Sequence, residues 1–181
     1  MGDRAPVLYH IVCAAPPARD AARMLRVALD RGWDACLIAT PQAAAWLDHA
    51  PLERLTGHPV RSTYKLPDEP DVLPPPQAMV VAPATFNSIN KWAAGISDTL
   101  ALGLLTEALG MGLPLVAVPH LNAAQARHPA FERSIAVLRD AGVTVLYGPE
   151  VFIPPALNEV HPAADDRWRL ALDTLDARRQ R

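Results

Sequence analysis

The alternation of short apolar runs with helical patterns constrains the fold of this chain most strongly. Five runs have the length of a β-strand and are apolar almost throughout: Val7–Cys13, Asp34–Ala39, Ala78–Ala82, Leu113–Val118 and Val143–Leu146. Such runs are typical of strands that are covered on both faces, as in a parallel sheet. Helical patterns separate most of these runs, so the sequence predicts βαβ units.

The segments between the runs predict helices, because apolar residues recur in them at helical spacing. Gly32 is placed to end the first of these helices. Helices are predicted over Ala18–Arg31, Thr40–Trp46, Asn87–Ala94, Asp98–Leu109, Ala123–Ala141 with an interruption at His128-Pro129, and Ala163–Arg178. The composition differs over Ala50–Gln77, where a short strand is predicted over Pro59–Tyr64 and a proline-rich loop follows.

These elements predict a single α/β domain over residues 1–181, a three-layer sandwich around a Rossmann- or flavodoxin-like parallel sheet. The length is normal for one domain, and the apolar half of the residues favours a globular fold. Right-handed crossovers place the carboxyl ends of the strands at one edge of such a sheet. Open α/β sheets bind ligands there, so the residues that follow the strands are the first candidates for a site.

Composition excludes several classes of function. The formal net charge of −2 lacks the basic excess of nucleic-acid-binding proteins, and no run is long and apolar enough to span a membrane. The six histidines and two cysteines show no spacing typical of a metal site, so no metal is expected. Cys13 and Cys36 lie in predicted strands and are expected to be buried, reduced thiols of a cytoplasmic protein.

Small and hydroxyl-bearing residues follow four of the predicted strands. They lie in the segments 14–16, 40–42, 83–88 and 119–122. Small residues let a backbone approach a planar ring or a phosphate, hydroxyls donate to phosphate oxygens, and a helix N-terminus favours an anion. The sequence therefore predicts a phosphate-bearing ligand at the carboxyl edge of the sheet. The absence of a GxGxxG motif and of a P-loop argues against the commonest dinucleotide and ATP sites.

Two longer segments resemble signatures of a known family. The run APATFNSINKWAAGISDTLALGLLTEA, Ala82–Ala108, is similar to the first signature of the homo-oligomeric flavin-containing cysteine decarboxylases, and Pro119–Leu146 is similar to the second, PxMNxxMW followed by His-Pro. With the two N-terminal βα units, the resemblance covers about residues 7–149. The family includes epidermin-type peptidyl-cysteine decarboxylases, phosphopantothenoylcysteine decarboxylases and the related flavin prenyltransferases.

The resemblance implies FMN as the cofactor, held at a subunit interface of a homo-oligomer, a trimer or a dodecamer. It implies cofactor contacts for Ala14, Ala15, Thr40, Ala84, Thr85, Phe86, Asn87 and Ser88. His120 would lie beside the flavin, and Asn122 would orient the substrate carboxylate; these two are the candidate catalytic residues. No metal, nucleic acid or membrane is implied as a partner.

The first loop departs from the family's pattern. The family has a Gly-Ser-rich loop after its first strand, whereas this chain has Cys13-Ala14-Ala15-Pro16-Pro17. The change removes a hydroxyl and a flexible glycine from the phosphate end of the site. Arg19, at the start of the following helix, is a candidate to compensate for the loss.

The catalytic positions of the decarboxylases also differ. The family's catalytic histidine falls on Ser62, and His58 stands four residues earlier, about 13 Å away along a strand. The cysteine that the pantothenoyl-type enzymes use near the C-terminus has no counterpart, because no cysteine follows Cys36. Leu121 and Ala126 replace the Met and the Trp of the second signature.

Five of the candidate residues have a structural alternative. Thr40, Asn87, Ser88 and Asn122 could serve as helix N-caps, a role that Thr, Asn and Ser fill routinely. His120 could fill the site sterically rather than bind a ligand. The sequence leaves these alternatives open.

Three functions are therefore compatible with the sequence. The first is an FMN-dependent, decarboxylase-like enzyme that acts on a small-molecule or peptide thiol. The second is a flavin-binding accessory or regulatory subunit without turnover. The third is a flavin prenyltransferase, which needs a basic site for a dimethylallyl phosphate, and no convincing cluster of basic residues is present.

Overall fold

The fold is a three-layer α/β sandwich, as the sequence predicts. The structure, a computed structural model, describes residues 5–157, 159 and 165–179. Its strands are β1 Val7–Val12, β2 Asp34–Ala39, β3 Ala78–Ala84, β4 Leu115–Pro119 and β5 Thr144–Val145. They form one parallel sheet in the order β2-β1-β3-β4-β5. The connection after β1 leads to β2 on one side of β1, and the connection after β2 leads to β3 on the other side. The boundary between β1 and β3 is therefore the switch point at which such sheets bind ligands.

Helices cover both faces of this sheet. They are α1 Ala21–Asp30, α2 Pro41–Ala44, α3 His49–Thr56, α4 Phe86–Ala93, α5 Leu100–Gly110, α6 Ala123–Ala126, α7 Pro129–Asp140 and α8 Asp165–Arg179. A 3₁₀ segment over Pro16–Asp20 precedes α1. No helix in the described part of the chain has both the length and the apolar character needed to cross a membrane.

Alternate residues of β1 show how the two cores are divided. Leu8 and Val12 pack in the core formed with α1 and α8, while Tyr9 and Ile11 pack in the core formed with α4, α5 and α7. His10 shares the first face and is 1% exposed. Its Nε2 lies 2.7 Å from the carbonyl oxygen of Ala82, which can only accept, so Nε2 carries the proton.

The segment before β3 differs most from the sequence-based prediction. A helix, α3, occupies His49–Thr56 and ends at Gly57, whose φ of 74° is left-handed. The strand predicted over Pro59–Tyr64 is wrong, because only Arg61 pairs there, in a single bridge with Ile38. The predicted helix over Ala18–Arg31 begins as the 3₁₀ segment.

The proline-rich segment, residues 64–77, lies against α5. Tyr64 Oη donates to the carbonyl oxygen of Thr99 at 3.2 Å. A Cβ added to Gly103, at the end of the first turn of α5, would overlap this hydroxyl. Glycine inside a helix costs about 1 kcal/mol relative to alanine, and here it makes room for the tyrosine.

Candidate functional site

A cleft of about 680 Å³ opens at the carboxyl edge of the sheet. It is lined by residues from the loops after β1, β2, β3 and β4 and from the start of α5: Ala14, Ala15, Pro16, Thr40, Pro41, Gln42, Thr85, Phe86, Asn87, Ser88, Lys91, Thr99, Leu102, His120, Leu121, Asn122 and Gln125. The turns that leave β3 and β4 therefore share one cavity. Nine of the ten predicted site residues line it; Ala84 is the exception.

Ala84 lies beneath the cleft. Its side chain is fully buried at the end of β3. Its carbonyl oxygen accepts a hydrogen bond from the backbone N–H of His120 at 2.9 Å. Ala84 thus links the two ligand-edge loops without contributing to the cleft surface.

Hydroxyl and amide side chains cap the helices that begin at the cleft. Thr40 Oγ1 accepts from the N–H of Ala43 at 3.3 Å, and Thr85 Oγ1 accepts from the N–H of Ser88 at 3.4 Å. Thr85 Oγ1 also donates to Ser88 Oγ at 3.1 Å. The capping role left open for Thr40 is therefore present, while Thr85, rather than Asn87 or Ser88, caps α4.

Asn122 caps α6 through a reciprocal pair with Gln125. Asn122 Oδ1 accepts from the N–H of Gln125 at 2.9 Å, and Gln125 Oε1 accepts from the N–H of Asn122 at 3.3 Å. This capping box fixes the side chain of Asn122. It occupies Oδ1 only, and within the described residues Nδ2 makes no hydrogen bond, so this nitrogen is available to donate to a ligand.

The other two polar groups of the prediction differ in exposure. Asn87 is exposed on the cleft side of the first turn of α4, where its carboxamide meets solvent. His120 is 6% exposed and follows β4 directly. Asn87 can therefore reach a ligand in the open part of the cleft, and His120 can reach one only at its floor.

The two cysteines lie near or below this edge as neutral thiols. Burial raises the pKa of Cys13, which neighbours Thr85 and Ser88 at the end of β1. Burial also raises the pKa of Cys36 to about 12. Because the thiolate is the reactive form, neither cysteine is suited to act as a nucleophile at neutral pH.

His58 and Ser62 stay outside the cleft. His58 Nε2 lies 2.6 Å from Asp34 Oδ1, at the amino end of β2 and thus at the opposite edge of the sheet. Arg19 is exposed and does not line the cleft either. The compensation expected from Arg19 is therefore not supported by its position.

Lys91 is a cleft residue that the sequence analysis missed. It is the only Lys, Arg, Asp or Glu in the lining formed by the described residues. Its Nζ lies 2.5 Å from Asp98 Oδ2, and its side chain is 31% exposed. Its spacing of four residues from Asn87 puts both on one face of α4, and that spacing is the signal that could have revealed it.

Family comparison covers most of the chain. The model of the family described as Flavoprotein matches residues 19–179. The chain belongs to the Flavoprotein family. This membership supports a flavin as the cofactor and confirms the resemblance that Ala82–Ala108 and Pro119–Leu146 carry.

Two curated proteins resemble parts of this flavoprotein. A cysteine/cysteine sulfinic acid decarboxylase from an unknown prokaryotic organism is 40% identical over 63 residues, 35% of this chain and 17% of that protein. The coenzyme A biosynthesis bifunctional protein CoaBC of Bacillus subtilis (strain 168) is 31% identical over 112 residues, 59% of this chain and 27% of that protein. The matched parts thus make up less than a third of either relative.

Solved structures share the fold of this flavoprotein over nearly its whole length. TvaF, an FMN-dependent cysteine decarboxylase from thioviridamide biosynthesis, has a TM-score of 0.74 at 20% identity, covering 94% of this chain and 98% of that one. SpaF, another FMN-dependent cysteine decarboxylase, has a TM-score of 0.66 at 24% identity with the same coverage. A mutant PPC decarboxylase complexed with pantothenoylaminoethenethiol has a TM-score of 0.71 at 16% identity, covering 96% and 100%.

Proposed function

We propose that this flavoprotein binds FMN in the cleft and catalyses a decarboxylase-like oxidation of a small-molecule or peptide thiol. The observation that carries the proposal is the convergence of the β3 and β4 turns on one cavity lined by hydroxyls and amides. Its volume of about 680 Å³ is within the usual range of ligand sites, roughly 300–1,000 Å³. The names of its relatives, cysteine decarboxylases and CoaBC, point to the same chemistry.

The donors of the cleft fit FMN in kind and position. Ala14 and Ala15 allow close approach at the end of β1, and Thr40 and Ser88 offer hydroxyls to a phosphate. Asn87 presents a carboxamide to the polar edge of a ring or to the ribityl chain. A bound flavin would supply the oxidant, since its ring accepts two electrons.

Two residues of this chain would act on the substrate. Asn122 donates from Nδ2 to the carboxylate and holds it in place, because the capping box fixes the side chain. His120, at the floor of the cleft, exchanges a proton with the substrate through its imidazole. A bound flavin would supply the two-electron oxidation that makes loss of carbon dioxide from the substrate possible.

A flavin-binding subunit without turnover is the second candidate. The positions of the thiols and of His58 favour it: both cysteines are buried, and His58 is paired with Asp34 at the far edge. Ser62, at the family's histidine position, does not line the cleft formed by the described residues. Under this alternative the chain would bind FMN fully and turn over no substrate.

Absorbance and anaerobic turnover separate these functions. The purified chain is expected to show flavin bands and to bind added FMN. Anaerobic incubation with cysteine-ended peptides, or with phosphopantothenoylcysteine, should bleach the flavin and release carbon dioxide. A full FMN load with no bleaching by either substrate class supports the second candidate. A chain that binds no flavin contradicts both.

The functional unit in this proposal is a homo-oligomer, a trimer or a dodecamer. Large apolar side chains are exposed in the proline-rich segment and between α4 and α5, among them Leu66 at 64% and Ile96 at 44%. Burial of such side chains between subunits would be favourable. Light scattering of the FMN-loaded protein tests this, and a monomer at micromolar concentration would contradict it.

A further inference from the structure

We infer that Lys91 binds the phosphate group of FMN and that Asp98 positions it to do so. This assignment rests on the proposed function, and it adds a cofactor contact beyond those of the resemblance. A phosphate monoester carries a charge of about −1.5 to −2 at pH 7, so its binding site needs positive groups or hydrogen-bond donors. The remaining lining side chains from the described residues contain hydroxyls, amides, apolar groups and one imidazole, so Lys91 is the only ammonium that this lining offers to the phosphate.

The orientation of α4 places Lys91 toward the phosphate end of the cleft. Ser88 lies one turn before Lys91 on the same face of α4. Ser88 neighbours the thiol of Cys13, the last residue before the Ala14-Ala15 loop. The helix face that carries Ser88 and Lys91 is therefore turned to the end of β1, where small residues leave room for a phosphate.

Asp98 holds the ammonium without occupying it fully. Lys91 Nζ lies 2.5 Å from Asp98 Oδ2, and an ammonium has three N–H donors, so donors remain for a phosphate oxygen. Asp98 is 49% exposed and lies outside the cleft lining, whereas Lys91 is 31% exposed and belongs to the lining. The ammonium is therefore the member of the pair that faces the cleft, and the carboxylate lies on the more exposed side.

The same placement resolves the loss in the first loop. The Ala14-Ala15-Pro16 loop lacks the Gly-Ser hydroxyl expected at the phosphate end, and Arg19 is not in the cleft. Lys91 reaches the site from the opposite wall, on α4. Lys91 thus offers a cation to a cleft in which the loop after β1 offers no hydroxyl.

Paired titrations with FMN and riboflavin test this role. Lys91→Met should raise the Kd for FMN about tenfold and leave the Kd for riboflavin unchanged, because riboflavin lacks the phosphate. The Kd for FMN should also rise less steeply with NaCl in the variant than in the wild type. Lys91→Arg should restore most of the FMN affinity, and Arg19→Met, which removes an exposed cation outside the cleft, should change neither Kd.

Three results would overturn the inference. They are an unchanged FMN affinity in Lys91→Met, a parallel loss of FMN and riboflavin affinity, and equal salt dependence in variant and wild type. Circular dichroism and thermal melting verify the fold, which an exposed ion pair scarcely stabilises. A wild-type chain that binds no flavin would instead refute the proposed function, so the two failures are distinguishable.

Discussion

The two edges of the sheet use polar groups in opposite ways. At the carboxyl edge, uncharged hydroxyls and amides cap α2, α4 and α6 around the cleft, and Lys91 is the single charge in the described lining. At the amino edge, charged side chains join elements: Asp34 pairs with His58, and Arg31 lies 2.7 Å from Asp173 and 3.1 Å from Asp176. Ion pairs between elements thus stabilise the fold at the amino edge, whereas the described cleft lining at the carboxyl edge is uncharged apart from Lys91.

His10 is a titratable residue in the core, between the two edges of the sheet. Its protonation at low pH should give the largest effect on stability. Burial lowers its pKa from 6.5 to about 4, because the imidazole cannot be solvated in the core. The unfolded chain therefore binds a proton that the folded chain excludes, so stability is complete above pH 6.5 and falls as the pH drops toward 4. The expected loss is roughly 3 kcal/mol.

Urea unfolding at pH 7 and pH 4.5 measures this loss. A His10→Phe variant should lose less stability than the wild type between these two pH values, even if it is less stable at both. His49→Gln, which changes a histidine outside the core, serves as the matched control and should keep the wild-type slope. The same slope in His10→Phe as in the wild type would contradict the assignment.

Asn87→Asp introduces a negative charge at the neutral edge. The new carboxylate lacks the N–H donors of the Asn87 amide and would repel the phosphate. The expected weakening of FMN binding is about thirty- to a hundredfold, roughly 2–3 kcal/mol. Fluorescence titration with FMN gives the Kd. Asn87→Ala removes the donor without adding charge and should weaken binding less; unchanged binding in both variants would remove Asn87 from the contacts.

Asp34→Asn tests the amino edge in the same way. The pair with His58 is partly exposed, with side-chain exposures of 24% and 20%, so its removal should cost at most about 1 kcal/mol of unfolding free energy. FMN affinity should not change, because the residue is at the far edge. A loss of cofactor binding in this variant would show instead that the two edges are coupled.

Gly103→Ala should give the smallest change in global stability. Alanine gains about 1 kcal/mol of helix propensity, while the loss of the exposed Tyr64 hydrogen bond to Thr99 offsets about the same amount. The net change in melting temperature is expected to be within a few degrees. Limited proteolysis should cut the proline-rich segment faster in the variant, and equal rates would show that Tyr64 does not hold it.

The sheet was predictable because its signal is local. Each apolar run became a strand within a few residues of its predicted bounds, and the break at His128-Pro129 separates α6 from α7 as expected. The helix α3 escaped prediction because Pro51 and the prolines that follow suggest a loop. Pro51 stands in the first turn of α3, where its missing N–H costs nothing. The failed strand at Pro59–Tyr64 depends on a non-local pairing that only Arg61 makes.

The cleft was predictable where residues directly follow strands, as with Thr40, Thr85 and His120. Ala84 could not be separated from its neighbours, because the length of β3 decides that it ends buried rather than exposed. Lys91 and Thr99 lie deeper in the α4–α5 region, and their position depends on how those helices rotate and pack. Packing of that kind leaves only a weak periodic signal in the sequence.

The contact between Tyr64 and Gly103 ties the proline-rich segment to the first turns of α5, whose cap residue Thr99 also forms part of the cleft wall. A displacement of the segment would therefore act on the wall of the cavity through Thr99. A molecule that binds residues 64–77 would therefore influence ligand entry through this contact.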